Sequence, residues 1–329
     1  MRRLAGFYIL AAGVALLPVF FPDNYFITVV GVTAGIHVIL AVSLNLLMGY
    51  AGQISLGHAA FFGIGAYTSA ILSARYGWNP WLAMLTGLLL TGVIAYFIAR
   101  PILRLKGHYL AMATLGFGII INIVLVQNGQ LTGGPDGLGD IPSLTIFGWE
   151  VDSDLHWYGV IGVAMLAVIW LSLNIIDSRS GRALRALHGS EVAAEMMGIN
   201  TTTTKTGVFV LAALIASFAG SLFSHQQGFV SPGSFSFFFS IELVTMVVLG
   251  GMASTYGAVF GAIVLTFLPE LLVVFEDYEV MIFGAILMLT MIFLPQGIFV
   301  GLRNLAYKLR KKNATPDSIA GKEQNRGTA

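Results

Sequence analysis

Ten stretches nearly free of charge, at residues 5–22, 26–49, 57–74, 81–99, 107–127, 157–176, 206–227, 238–252, 257–274 and 280–299, follow one another along the chain. A helix of about 17 to 25 such residues crosses the hydrocarbon core of a bilayer. Only 10% of the residues are charged and mean hydropathy is +0.84, whereas a soluble chain carries about 25% charged residues. The expected fold class is therefore an all-α polytopic membrane protein of about ten transmembrane helices. The third, eighth and ninth stretches are interrupted by glycines and polar residues. Arg2 and Arg3 ahead of the apolar run 5–21 resemble a secretory signal, but no small-x-small cleavage site follows, and the run is kept as the first span.

Basic residues test the topology, because they accumulate in cytoplasmic loops. With the N-terminus inside, sixteen of the seventeen Lys and Arg fall on the cytoplasmic side, and Arg75 alone falls outside. An even number of crossings returns the C-terminus to the cytoplasm, where the cluster from Arg303 to Lys312 also puts it. Residues 1–312 then form a transmembrane domain, with a long outer loop at 128–156 and a long inner loop at 177–205. The tail 313–329 is polar and is expected to be disordered and cytoplasmic.

The stretch NLLMGYAGQISLGHAAFFGIGAYTSAIL, from Asn45 to Leu72, opens inside one span and closes inside the next. Its glycines, with Gln53, Ser55 and His58, are unsuited to a lipid-facing helix. Weakly helical polar backbone at membrane depth is tolerated where it is buried in protein or lines a wet cavity. The stretch reads as part of a translocation path, and a helix beginning near Gly57 would offer free N–H groups to a carboxylate. His58 could bond a zwitterion or a neighbouring helix. Thr114, Asn122 and Gln127, close to one face of the fifth span, could line the path or bond adjacent helices. Gly250, Gly251, Gly257 and Gly261 loosely echo the first glycine-broken pattern, and close helix packing through small residues explains them equally.

The inner loop reads DSRSGRALRALHGSEVAAEMMGINTTTTK. Ser190 fits an N-cap, Glu191 complements the helix dipole, and Gly198 sits where a left-handed C-cap belongs. Val192 and Met196, four apart, make an apolar face, while Arg182 and Arg185 share one face of the preceding segment. So short a helix needs a dock, and a partner's groove is the candidate, with Met196 and Met197 as adaptable knobs; the alternative is a helix lying on its own protein or on headgroups.

Several chemistries are excluded or weakened. There is no cysteine, hence no disulfide or thiol catalysis. No G-x-x-x-x-G-K-[ST] loop exists, so the chain does not hydrolyse ATP. The six histidines are scattered, no metal spacing appears, and no basic cluster interleaved with aromatics suggests nucleic acid. Glu242 and Glu270 are the acids inside spans and would serve a proton-coupled carrier.

Three blocks carry a resemblance: residues 44–72; GHYLAMATLGFGIIINIVLVQNGQLTGGPDGL at 107–138; and SRSGRALRALHGSEVAAEMMGIN at 178–200, continuing into 218–262. In order and spacing they resemble the membrane subunit of the branched-chain amino acid ABC importers, the LivM-type permease family. The resemblance implies a ten-helix subunit in the bacterial inner membrane. It also implies a second homologous permease, two ATPases that bind ATP and magnesium, and a periplasmic binding protein, with no cofactor in this chain. Leucine, isoleucine and valine are the implied substrates, and related members carry urea or amides. Against the general importer loop, alignment on Gly198 puts Val192 where a glutamate belongs, with Glu191 one residue early.

The expected function is thus a permease subunit with alternating access. ATPase coupling would fall to Arg182, Arg185, Glu191, Val192, Glu195, Met196 and Gly198. The path would involve Gln53, Ser55, Gly57, His58, Thr114, Asn122 and Glu242. A urea or amide permease, a proton-coupled secondary transporter and, third, a membrane enzyme are the alternatives.

Overall fold

The computed structural model describes residues 2–20, 29–146 and 148–272, with isolated positions between 281 and 301. Most of the expected tenth span, the cluster from Arg303 to Lys312 and the tail 313–329 lie outside the described residues. The remaining structure is helical apart from one two-stranded antiparallel ribbon, β1 (Thr145–Ile146) with β2 (Trp149–Glu150), paired Thr145 to Glu150. The helices are α1 (Arg2–Phe20), α2 (Gly31–Asn45), α3 (His58–Ala70), α4 (Pro80–Ile102), α5 (His108–Gln127), α6 (Gly129–Thr132), α7 (Asp154–Asp177), α8 (Arg179–Gly189), α9 (Glu191–Met196), α10 (Thr201–Gln227), α11 (Phe237–Gly250) and α12 (Thr255–Leu272). Six of the described helical segments are long and apolar enough to cross a membrane.

α2 is the axis of the bundle. It is apolar all round, as a helix must be when protein surrounds it, and Val38 to Leu47 are almost wholly buried between α7, α10, α11 and α12. α4 shows the opposite pattern: Leu82, Leu85, Leu89 and Phe97 face outward, as suits a helix with lipid on one side. Where helices cross closely, glycine makes the crossing possible. A Cβ on Gly65 would lie 2.1 Å from the Ser217 carbonyl oxygen, and one on Gly220 would lie 2.0 Å from that of Phe62, so α3 and α10 touch backbone to backbone. Ser69 bonds His225 across the same seam at 2.7 Å, and Thr91 of α4 donates to Ser217 at 3.0 Å, which ties α4 to α10 as well.

The joints sort into two ends. Arg75 donates to the Gln130 carbonyl, the Trp81 indole donates to Thr145, and Leu138 pairs with Val230, so 75–81, 128–151 and 228–230 share one end. Lys106 and Lys205 both pair with Glu191, so the α4–α5 joint, α9 and the start of α10 share the other. That division separates Arg75 from Lys106, Arg182, Arg185 and Lys205, along the line the basic-residue pattern draws.

Candidate functional site

The chain breaks where the glycine-rich stretch predicts. α2 widens into a π-helical turn, Leu46–Tyr50, turns at Gly52 with φ +69°, and runs extended to Gly57. Instead of leaving the bundle it folds back beside α2. His58 Nε2 lies 2.7 Å from Ser43 Oγ, and Ser43 is seven residues, about 10 Å of helix rise, back from Tyr50. Ser43 Oγ also lies 2.8 Å from the Leu40 carbonyl oxygen, so the hydroxyl joins the imidazole to the α2 backbone. α3 therefore begins well inside the helix layer. Thr114 Oγ1 accepts from the Leu56 N–H at 3.0 Å, and a Cβ on Gly57 would lie 2.3 Å from the Thr114 carbonyl oxygen, which only glycine permits.

A second break mirrors the first from the opposite end. α10 stops at Gly228 with φ +66°, the chain pairs once with Leu138, and it then re-enters the bundle through a short 3-10 turn, Pro232–Phe235. Phe235 is buried against Phe62, Phe223 and Tyr67, with Gly63 making room for its ring. Asn122 of α5 donates to the Pro232 carbonyl at 2.9 Å. The stretch that echoes 49–65 in structure is therefore 228–236. Gly250, Gly257 and Gly261 instead close the α11–α12 contact, where a Cβ on Gly261 would lie 2.0 Å from the Met246 carbonyl oxygen.

The two inward helix starts meet. Ala59 N–H at the head of α3 donates to Ser240 Oγ in the first turn of α11 at 3.3 Å, while the N-cap residues Gly57 and Ser236 themselves make no side-chain cap bond. The positive ends of two helix dipoles thus converge inside the bundle, the arrangement that favours an anionic group. The cleft between them, lined by Leu56, Ala60, Leu115, Phe235 and Ser236, is too tight for water. Met112 and Ile120 of α5 and Phe238 of α11 are exposed apolar residues.

At the end shared by Lys106 and Lys205, α8 and α9 form a bent pair. Ser178 caps α8 by accepting from Gly181 N–H, and Leu184 and Leu187 anchor it while Arg182 and Arg185 stay exposed. Ser190 Oγ accepts from the Ala193 N–H at 3.3 Å, and Gly198 ends the turn with φ +81°, the caps expected of the sequence. Of α9 only Ala194 is buried; Val192 is 62% exposed, and Met196 and Met197 are each 83% exposed. Glu195 accepts from Thr201 Oγ1 at 2.7 Å, which ties α9 to α10.

A sequence model described as the branched-chain amino acid transport system permease component matches residues 26–291. The chain belongs to this family. The matched region includes both breaks, α5 and the α8–α9 pair, so membership covers the whole of the site just described. The high-affinity branched-chain amino acid transport system permease protein LivM of Salmonella typhimurium is 37% identical over 80% of this chain and 67% of its own length. The LivM protein of Escherichia coli is 36% identical over the same shares. LivH of E. coli is 29% identical over 82% of this chain and 92% of its own. No solved structure gives a significant match. With these relatives and its six long apolar helices, the family member is a multi-pass membrane protein.

The structure gathers Gly57, Thr114 and the start of α3 at the meeting point. His58 sits one layer behind, turned to Ser43. Ser55 is buried with no bonding partner for its hydroxyl. Asn122 lies farther along α5 on the second break, and Glu242 is half-buried two residues beyond Ser240 and does not line the cleft. Gln53 is elsewhere, near Lys106 and Lys205. Ser240 and Phe235 are site residues that sequence reasoning passed over; the polar run SPGSFSFFFS was their signal.

Proposed function

We propose that this chain is one of two homologous permease subunits of an ATP-driven importer of branched-chain amino acids in a bacterial inner membrane. Ten helices cross the membrane with both termini in the cytoplasm, and the end bearing α8 and α9 faces the cytosol. One of two ATPases grips the exposed Val192, Met196 and Met197, with Glu191, Glu195, Arg182 and Arg185 around them, and a periplasmic binding protein delivers substrate at the opposite end.

The observation that carries this reading is the meeting of two helix starts inside the bundle, with exposed apolar residues on α5 and α11 that a second permease would cover. The substrate's carboxylate passes the N–H groups of α3 and α11, and its aliphatic side chain passes Leu56, Leu115 and Phe235. Such a path needs only weak affinity, because selection belongs to the binding protein.

The test is reconstitution of the permease pair with its ATPases and binding protein in liposomes. Leucine and valine uptake should require ATP and survive a protonophore, with urea failing to compete. Uptake by this chain alone down a proton gradient would sink the reading.

A further inference from the structure

We propose that a second site, on the face carrying α9, binds an amino acid with an apolar side chain from the cytosol and slows the transporter when that amino acid accumulates. It rests on the transport reading for the identity of the ligand, and on separate observations for the existence of the site.

A cleft of about 150 Å³ opens there between the first break, the α4–α5 joint, α8 and α10. This is roughly ten times the space that one water molecule needs. Its wall contains Gln53, which is 4% exposed, yet neither Nε2 nor Oε1 of its amide has a bonding partner. A buried amide with both ends unmade costs the fold free energy, and a ligand that takes both a donor and an acceptor removes that cost.

The rest of the lining has the chemistry of a zwitterion with an aliphatic tail. Lys106 and Lys205 supply two cations, and Glu191, bonded to both, supplies one anion. Gly107, with φ +56°, opens α5 without a side-chain cap, so the first N–H groups of a 20-residue helix stand beside Lys106. Leu103, Leu110 and Leu187 form the apolar side. A carboxylate falls to Lys106, the α5 start and the Gln53 amide N–H; an ammonium falls to Glu191 and the Gln53 amide oxygen; an isobutyl or isopropyl group falls to the leucines. A phosphate would meet the Glu191 carboxylate and leave the leucines uncovered.

The position gives binding a consequence. The cleft joins the first break to α5 and to Glu191, the first residue of α9. A bound amino acid ties the prong to the helices of the path, and holding them in one arrangement lowers turnover.

The experiment uses the assembled complex in nanodiscs without binding protein, titrated with labelled leucine. Saturable binding is expected, weakened about tenfold by Lys106→Ala and by Gln53→Leu, the loss due to one charge-assisted or buried hydrogen bond. Lys106 is largely exposed, so its variant should fold. Leucinamide and isocaproate, each lacking one charge, should bind similarly weakly. In liposomes, leucine added on the ATPase side should slow ATP-driven uptake by the wild type more than by Lys106→Ala. Absence of saturable binding, binding by both variants as tight as by the wild type, or displacement of leucine by inorganic phosphate at like concentration overturns the proposal. Variant-sensitive leucine binding in a complex that transports no branched-chain amino acid would uphold the site and sink the transport reading.

Discussion

The N–H of Ala59 donates to the hydroxyl of Ser240 across 3.3 Å, and through that bond the heads of α3 and α11 meet deep in the bundle. Both residues are buried, so no water stands ready to replace the lost acceptor. Ser240→Ala should lower stability by about 1 to 3 kcal/mol, read as a lower melting temperature of the purified complex. Ser240→Thr, which keeps the hydroxyl, should lose less. An Ala variant as stable as wild type would show that the bond contributes nothing.

Gly57→Ala should reduce uptake severely while insertion persists. The added methyl would lie 2.3 Å from the Thr114 carbonyl oxygen, and backbone on both sides must move apart. Gly159→Ala, where nothing lies within 4 Å, is the control and should transport normally.

Asn122→Ala should loosen the second break specifically. It removes the donor to the Pro232 carbonyl, which joins positions 110 residues apart. Proteolysis or hydrogen exchange at 230–236 should increase, with 51–57 unchanged. Equal exchange at both segments would contradict the assignment.

Val192→Glu and Met196→Glu should leave the permease folded, because both side chains are already exposed, and should abolish ATPase co-purification. Leu184→Glu, at a buried position of α8, should instead reduce expression. If the two α9 variants retain the ATPase, the docking surface lies elsewhere.

Ser190→Ala should weaken α9 by about 1 kcal/mol, the usual loss for a missing N-cap. Gly198→Ala should act in the same direction, since its φ of +81° strains any residue with a Cβ. The check is the ratio of amino acid transported to ATP hydrolysed, which should fall in both.

Much of this architecture was legible because its determinants are local. Charge-free runs mark helices, Ser190 and Gly198 mark the ends of α9, and the glycines after Asn45 mark a break. The second break was not recognised as its counterpart, because SPGSFSFFFS contains few glycines and acquires its meaning from Asn122, Phe62 and Tyr67, all distant in sequence. Gly250 and Gly257 drew the comparison instead, although they serve only close packing. Gln53 shows the same limit on a smaller scale. It is five residues from His58, yet the extended backbone between them separates a side chain facing Lys106 from one facing Ser43.

α5 holds both breaks at once, Thr114 at Leu56 and Asn122 at Pro232, and most of its surface is otherwise uncovered by this chain. A rigid rod that pivots between two clasps moves both of them at once. A tilt of α5 would swing the two re-entrant loops in opposite senses, like the pans of a balance, so that one mouth widens as the other narrows. Rocking a single helix would then suffice to keep both gates from standing open together.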